Sequence, residues 1–150
     1  MIKHRSTKRF DGLSVCFRQW RADSHCRFLH GYALEFVAVF EGELDHRNWV
    51  LDFGSFKSNG FKAWLADTFD HKTIVAEDDP LLSQFKAMDE EGMLELVIMP
   101  SVGCEKFAER VKRELDAVIS RQTDGRVQVL SVECIENKNN SAVCHETHRY

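Results

Sequence analysis

The seven residues Cys-Arg-Phe-Leu-His-Gly-Tyr, from Cys26 to Tyr32, hold two side chains that can do chemistry. The thiol of Cys26 stands four residues before the imidazole of His30. A thiolate is a nucleophile and a metal ligand, and an imidazole transfers protons near neutral pH or binds a metal. The spacing therefore marks a candidate site. The alternative is that the two side chains are unrelated residues of the surface or core.

The flanking segments predict two strands that would hold this site between them. Residues 8–20 alternate loosely between apolar and polar side chains, and residues 32–41 form a longer apolar run. In that run the even-numbered positions from 34 to 40 are apolar on one face, and Val37 and Val39 lie on the other. A strand that is apolar on both faces predicts a sheet covered by helices or by another subunit.

The rest of the chain predicts further helices and strands. They are a helix from Asp52 or Ser55 to about Phe69, a loop with Asp70 and His71, a short helix near 80–88, a strand at 93–99, a helix at about 104–122, a strand at 127–136 and a loose polar tail from about 141. The order β-β-α-β-α-β predicts a two-layer α+β fold in a single domain of residues 1–150.

The composition fits one folded domain. With 43% hydrophobic residues, the 150-residue chain can bury a sizeable core. No apolar run approaches the roughly 20 residues of a membrane helix, and no apolar segment follows the basic N-terminus as in a signal peptide. The five cysteines are scattered and odd in number, which favours free thiols over a disulfide framework. We therefore expect a cytoplasmic protein.

The charge is unevenly distributed around a net value of −4. Residues 1–30 contain seven Lys or Arg and two Asp, a balance of +5, so the other 120 residues carry −9. The acidic total argues against a general nucleic-acid-binding protein. The basic first fifth would suit an anionic small substrate such as a phosphate ester, and it would equally suit solvated charge on a hairpin.

One carboxylate lies in an apolar pattern. On the last predicted strand, Glu136 shares its side-chain parity with Leu130, Val132 and Cys134, so its carboxylate should point the same way as these apolar residues. An unpaired buried carboxylate is costly in free energy. The pattern therefore predicts a binding partner for Glu136.

A second carboxylate, Asp70, stands directly before His71. The two residues are either a pair on a surface turn or a carboxylate–imidazole pair suited to proton transfer.

Four motifs, in this order, resemble those of the 6-pyruvoyl-tetrahydropterin synthase and 6-carboxytetrahydropterin synthase superfamily. Cys26-x-x-x-His30-Gly31 resembles its Cys-x-x-x-His-Gly-His, and Val50-Leu51-Asp52-Phe53 with Phe56-Lys57 resembles its strand-to-helix Asp-Phe-x-x-Leu-Lys. Phe69-Asp70-His71 resembles its Leu-Asp-His, and the segment from Glu136 to Ala142 resembles its terminal Glu-(Thr/Asn)-x-x-Asn-x-Ala. The likeness covers about residues 8–144.

The resemblance implies a fold, an assembly and a substrate. The fold would be the tunnelling fold (T-fold), in which antiparallel β-hairpins of several subunits form a barrel with helices outside. The assembly would be a homotrimer or homohexamer with active sites between subunits. The substrate would be 7,8-dihydroneopterin triphosphate, which loses triphosphate while its C6 side chain rearranges. We expect the 6-carboxytetrahydropterin type of reaction, which feeds 7-deazaguanine (queuosine-type) synthesis.

The resemblance also implies roles for individual residues. Cys26 matches the catalytic cysteine, and Asp70 and His71 match the proton relay. Glu136 matches the carboxylate that anchors the pterin ring. Glu105 would be a second contact to the ring, because the segment ahead of it resembles a stretched form of the family's Pro-Thr-x-Glu-Asn.

The resemblance breaks at the metal site. The family binds zinc through three histidines, and their positions fall at Phe17, His30 and Tyr32. A catalytic zinc normally has three protein ligands, and only His30 remains of these three. Zinc could be bound weakly, be held by His25, His30 and one other group, or be absent.

Three hypotheses follow from these patterns. The chain is an active pterin synthase with an altered zinc site, a pterin- or purine-binding or regulatory relative that has lost the reaction, or an oligomeric α+β domain whose motifs are coincidental. Cys26, Asp70, His71 and Glu136 occurring together favour the first hypothesis over the third. The two lost ligand positions favour the second. We expect the first.

Overall fold

A computed structural model describes residues 1–147, which form a six-stranded mixed sheet and four α-helices. The strands are β1 (His4–Phe17), β2 (His30–Gly42), β3 (Lys72–Ala76), β4 (Leu96–Met99), β5 (Val127–Ile135) and β6 (Ser141–His145), in the sheet order β4-β3-β1-β2-β5-β6. The helices are α1 (Ser55–Ser58), α2 (Phe61–Phe69), α3 (Leu82–Glu90) and α4 (Cys104–Thr123). No helix described within residues 1–147 is long and apolar enough to cross a membrane.

The long antiparallel hairpin of β1 and β2 carries the Cys26–Tyr32 stretch at its connection. The pairing register shifts between Phe10 and Leu13, a β-bulge that keeps both halves of β1 pointing their apolar side chains at the helices. Beyond the bulge Val15 pairs with Tyr32 and Phe17 with His30. These side chains lie on one face because alternate residues of a strand share a face.

The core lies between this hairpin and helices α2 and α4. The predicted inward face of β2 is confirmed, since its four even-numbered apolar residues are fully buried: Leu34, Phe36, Ala38 and Phe40. Val37 and Val39, on the opposite face, are only half-buried in the single chain. Helix α3 instead contacts the short parallel strands β3 and β4.

The predicted helix from Asp52 or Ser55 to Phe69 is two helices. Gly60 adopts φ +84°, a left-handed conformation that an α-helix cannot contain, and α2 starts directly after it. Asp52 accepts a hydrogen bond from the amide of Gly54 at 2.9 Å, so its side chain does bind the chain entering α1. The break turns α2 toward β1 and β3, against which it packs.

The sequence predicts no strand between the loop with Asp70 and His71 and the helix near residue 80, where the structure has β3. It is five residues long, and the burial of residues 73–76 follows from its place between β1 and β4, which the local sequence does not show. The predicted strand at 93–99 is confirmed only for its second half, β4. The first strand also begins and ends earlier than the predicted range of 8–20.

The predicted loose tail from residue 141 is wrong for its first part, because Ser141–His145 form β6 against β5. Residues 148–150 lie outside the described part of the chain. A second bulge, between Val39 and Phe40 of β2, falls opposite Leu130. Leu130 therefore departs from the regular pairing, while Val132 and Cys134 point into the core as predicted.

Candidate functional site

Cys26 lies in a single 3₁₀ turn, His25–Arg27, between β1 and β2. The hydroxyl of Ser24 accepts a hydrogen bond from the Cys26 amide at 3.3 Å, and the Gln19 amide donates to the Cys26 carbonyl at 2.9 Å. The turn is therefore bound at both sides through its backbone. Cys26 is half-buried, and its thiol is free.

A nearly buried ion pair holds the segment that leads into this turn. Two guanidinium nitrogens of Arg18 donate to the two carboxylate oxygens of Asp79 at 2.6 and 2.8 Å. The side chains are 18% and 1% exposed. Arg18 also donates to the carbonyl of Arg27 at 3.4 Å, which links the ion pair to the turn of Cys26. The hydrogen bonds from Arg18 lower the pKa of Asp79, although burial acts in the opposite direction.

The same segment rests against the start of α4. Gly103 precedes α4 with φ +117°, and a Cβ atom placed on it would lie 2.2 Å from the side-chain nitrogen of Gln19. The absence of a side chain at residue 103 thus allows the Gln19 side chain to approach the helix start closely. Gln19 thus contacts both the Cys26 turn, through its backbone amide, and the residue that precedes α4, through its side chain.

Three rings stand at the positions where the resemblance places the zinc ligands. The ring centroids of Phe17 and His30 are 5.3 Å apart, those of His30 and Tyr32 5.1 Å, and those of Phe17 and Tyr32 5.8 Å. We call Phe17, His30 and Tyr32 the ring cluster. Phe17 is fully buried and also packs edge-on against Phe107 of α4 at 5.0 Å. The three positions that the resemblance matches to zinc ligands are therefore neighbours in the structure.

The ring orientation of His30 is set by its backbone. Its Nδ1 lies 2.6 Å from the carbonyl oxygen of Phe28, and a carbonyl can only accept, so Nδ1 carries the proton and donates. In the neutral ring Nε2 then holds the lone pair, the arrangement of a histidine able to bind a metal or accept a proton.

The phenol of Tyr32 lies near three of the predicted site residues, which are Cys26, His30 and Glu136. Burial raises the pKa of Tyr32, and the negative charge of Glu136 raises it further, followed by the thiols of Cys26 and Cys104. Glu136 lies directly after β5, half-buried, and its amide donates to the Asn140 carbonyl at 3.1 Å. Its predicted inward direction is consistent with these neighbours. The fold thus brings Cys26, His30 and Glu136 together.

Residue 104, rather than residue 105, points from α4 toward this cluster. Cys104 is buried, and hydrogen bonding with Cys134, burial and the charge of Glu136 raise the pKa of its thiol. Glu105 is exposed on the first turn of α4. The predicted role of Glu105 as a second ring contact remains a prediction, and the single chain directs its side chain to solvent.

Asp70 and His71 lie elsewhere in the single chain. Oδ1 of Asp70 accepts hydrogen bonds from the Ser14 amide and from Nδ1 of His71, both at 3.0 Å, and the His71 amide donates to the Ser14 carbonyl at 2.7 Å. The bond from Ser14 is the main reason why the pKa of Asp70 is lowered. His71 is 82% exposed, and its φ is +57°. The pair is thus preformed and faces outward.

The donors near the ring cluster do not make a metal site. Within residues 1–147, no three His, Cys, Asp or Glu side chains are grouped so that they could hold a metal ion. His25 is exposed on the 3₁₀ turn, and Phe17 offers no donor atom. The residues present therefore do not fit the three-ligand zinc site that the resemblance implies.

Sequence reasoning did not find several residues that shape this site. Cys104, Cys134 and the pair of Arg18 with Asp79 had no role assigned to them. The inward parity of Cys134 with Glu136 was a usable signal for one thiol. No local signal joins residue 18 to residue 79, because their contact depends on the position of β3.

Solved structures share this architecture over nearly the whole chain. An uncharacterized protein from Wolinella succinogenes superposes with a TM-score of 0.82 at 21% identity, covering 98% of this chain and 100% of that one. The 6-pyruvoyl tetrahydropterin synthase of Caenorhabditis elegans superposes with a TM-score of 0.66 at 16% identity, covering 98% of each chain. These similarities show the fold, and the predicted α+β tunnelling fold is confirmed.

The sequence shows the family. The model of the 6-pyruvoyl tetrahydropterin synthase family matches residues 6–147, so this chain belongs to that family. Two proteins named 6-carboxy-5,6,7,8-tetrahydropterin synthase, from Rickettsia felis and Rickettsia conorii, are each 39% identical over 61 residues. The match covers 39% of this chain and 43% of each relative, less than half the length of these curated proteins.

Proposed function

We propose that this protein is a pterin synthase-like lyase that acts on 7,8-dihydroneopterin triphosphate, in the 6-carboxytetrahydropterin reaction of 7-deazaguanine (queuosine-type) synthesis in the cytoplasm. The observation that carries the proposal is the convergence of Cys26 and Glu136 on the phenol of Tyr32. A thiol and a carboxylate are thus both electrostatic neighbours of one phenol. Family membership supports the class of reaction.

Glu136 holds the ring in this proposal. A carboxylate accepts two parallel hydrogen bonds from neighbouring N–H groups, such as those on the 2-amino-pyrimidinone edge of a pterin. The half-buried position strengthens these bonds, because less water competes for the carboxylate oxygens. The ring is then oriented with its C6 side chain toward Cys26 and the ring cluster.

Cys26 transfers protons at the C6 side chain. Its half-buried thiol lies on a turn held by Gln19 and Ser24, so its position relative to a bound ring is fixed. Arg27 directly follows Cys26, and its guanidinium donates to the carbonyls of Asp23 and Ser24 at 3.1 Å, which helps to hold the turn that carries the thiol.

A second copy of the chain supplies Asp70 and His71. In the single chain these residues bind Ser14 and each other and face solvent. The half-buried Val37 and Val39 leave two apolar side chains on a sheet face open to another subunit, between the ion pairs of Arg5 with Glu41 and of Arg9 with Glu35. A homotrimer or homohexamer would bring one chain's His71 to another chain's Cys26, which completes the proton relay.

The test is turnover of the purified, assembled chain. Incubation with 7,8-dihydroneopterin triphosphate should release triphosphate and form a 6-substituted tetrahydropterin, which chromatography with mass detection identifies. An assembled sample that binds the fluorescent pterin but converts none of it would contradict the proposal. That result would support the alternative, a non-catalytic pterin- or purine-binding relative, which Phe17 and Tyr32 at the zinc-ligand positions favour.

Replacing Glu136 with Gln should weaken pterin binding by about 10- to 100-fold, because hydrogen bonds to a charged group contribute about 1.5–3 kcal/mol. Fluorescence titration with a pterin measures the loss. Glu133→Gln is the matched control, since Glu133 is three residues earlier on β5 and accepts from the Ser141 hydroxyl at 2.7 Å instead. If the Glu136 and Glu133 variants bound pterin with equal affinity, Glu136 would not be part of the binding site.

A further inference from the structure

We propose that the ring cluster is a metal-independent site, in which the hydroxyl of Tyr32 contacts a polar group of the ligand at the place where the family's zinc would lie. The proposal has two parts, the absence of a zinc requirement and the role of the Tyr32 hydroxyl. The second part rests on the proposed function, because it takes a pterin as the ligand. The first part does not.

Phe17 fills the position of a metal ligand with a buried hydrocarbon ring. It is fully buried and touches His30, Tyr32 and Phe107 at ring distances of 5.3, 5.8 and 5.0 Å. A cation beside this ring would lose water without gaining a donor atom from it, which is unfavourable. At the position where zinc would need a donor atom, the cluster therefore packs like the hydrophobic core.

His30 is one donor where a zinc site needs three. Its Nδ1 is bonded to the Phe28 carbonyl, so Nε2 is the remaining nitrogen. Within residues 1–147 no group of three potential ligands could hold a metal ion. Binding through one imidazole nitrogen does not retain zinc against water and buffer.

Tyr32 provides a different polar group at this place. Its hydroxyl can both donate and accept a hydrogen bond, and the side chain is only half-buried. Glu136 and Cys26 are its electrostatic neighbours. The Tyr32 ring also lies 5.1 Å from the ring of His30, so a pterin bound by Glu136 and reaching Cys26 would lie beside the Tyr32 hydroxyl. The hydroxylated C6 side chain of a reduced pterin carries suitable partners for that contact.

Zinc content tests the first part. The wild-type chain, equilibrated with zinc and then desalted, should retain far less than one zinc per chain by elemental analysis. The F17H/Y32H variant should retain about one, because its three histidines then converge on one place, and F17H/Y32H/H30A should lose it again. Stoichiometric zinc in the wild type that H30A removes would overturn the proposal. So would a folded F17H/Y32H variant that gains none; if the histidine at 17 prevents folding, the wild-type and H30A measurements still decide this part.

Binding by Tyr32→Phe tests the second part. We expect pterin affinity to fall about 3- to 10-fold, the effect of one neutral hydrogen bond, with the far-ultraviolet spectrum unchanged. Unchanged affinity would overturn the role of the hydroxyl. A wild-type chain that binds no pterin would overturn both that role and the proposed function, while the zinc measurements would still decide the first part.

Discussion

Replacing Cys26 with Ala should lower kcat/KM for 7,8-dihydroneopterin triphosphate by about 10²- to 10⁴-fold, the usual contribution of a general acid or base. The loss should fall mainly on kcat, because the proposed ring contact is Glu136, directly after β5, and the Cys26 turn is bound through its backbone. Pterin affinity should therefore stay within about 3-fold of wild type, less than the loss of one hydrogen bond would cause. Steady-state kinetics and fluorescence titration measure the two effects separately.

Cys144→Ala is the matched control for this change. Cys144 is also a half-buried free thiol, but it lies on β6, where its electrostatic neighbours are Lys112 and the acidic groups of α4. Its removal should leave kcat/KM close to wild type. If both alanine variants lose activity equally, the loss does not report chemistry at Cys26 and its assignment is wrong.

Replacing Asp79 with Ala should lower the free energy of unfolding by about 3–5 kcal/mol, because it leaves the guanidinium of Arg18 largely buried without its carboxylate. The two side chains are only 18% and 1% exposed, so this is a buried ion pair rather than a surface one. Urea denaturation of the wild type and the variant measures the difference. The loss of the ion pair should also affect the Cys26 turn, since Arg18 donates to the Arg27 carbonyl as well.

Asp78→Ala is the control within the same loop. Asp78 pairs with Arg21 at 2.7 Å, but these side chains are 47% and 74% exposed, so the change should cost less than about 1 kcal/mol. An Asp79 variant as stable as the Asp78 variant would contradict the buried role of the pair.

The contribution of Asp79 should also depend on pH in one direction. Its pKa is lowered in the folded chain from the ordinary value of 3.8, chiefly by the hydrogen bonds from Arg18. The unfolded state therefore binds its proton first as the pH falls. The stabilisation is complete above the ordinary pKa and is lost as the pH falls through the lowered folded value. The stability difference between wild type and Asp79→Ala should accordingly narrow below about pH 4.

The ring cluster keeps the arrangement of the three positions but only one of the three histidines that the resemblance implies as zinc ligands. Phe17, His30 and Tyr32 keep the convergence of three positions, while two of them lack the usual donor. Glu136 and Cys26 remain beside that place. If the zinc measurements come out as expected, the reaction or the binding event here depends on the chain's own hydroxyl, thiol and carboxylate.

Patterns that depend only on neighbouring residues could be predicted from the sequence. Strand parity placed the even residues of β2 in the core, because consecutive side chains of a regular strand point to opposite faces. The same parity predicted that Glu136 points the same way as Cys134. Helical spacing predicted α4 within a residue or two of its bounds. The candidate site from Cys26 to His30 could be recognised because its two reactive side chains are only four residues apart.

Features that depend on distant neighbours needed the tertiary structure. β3 exists because β1 and β4 pair with it on both sides, and β6 exists because β5 offers an edge. The contact of Arg18 with Asp79 and the inward direction of Cys104 likewise join residues far apart in the chain. The sequence by itself thus indicated which residues are candidates for chemistry. Only the packing of the sheet and α4 decided which of them meet: Cys26, His30 and Glu136 around Tyr32, with Asp70 and His71 left facing outward.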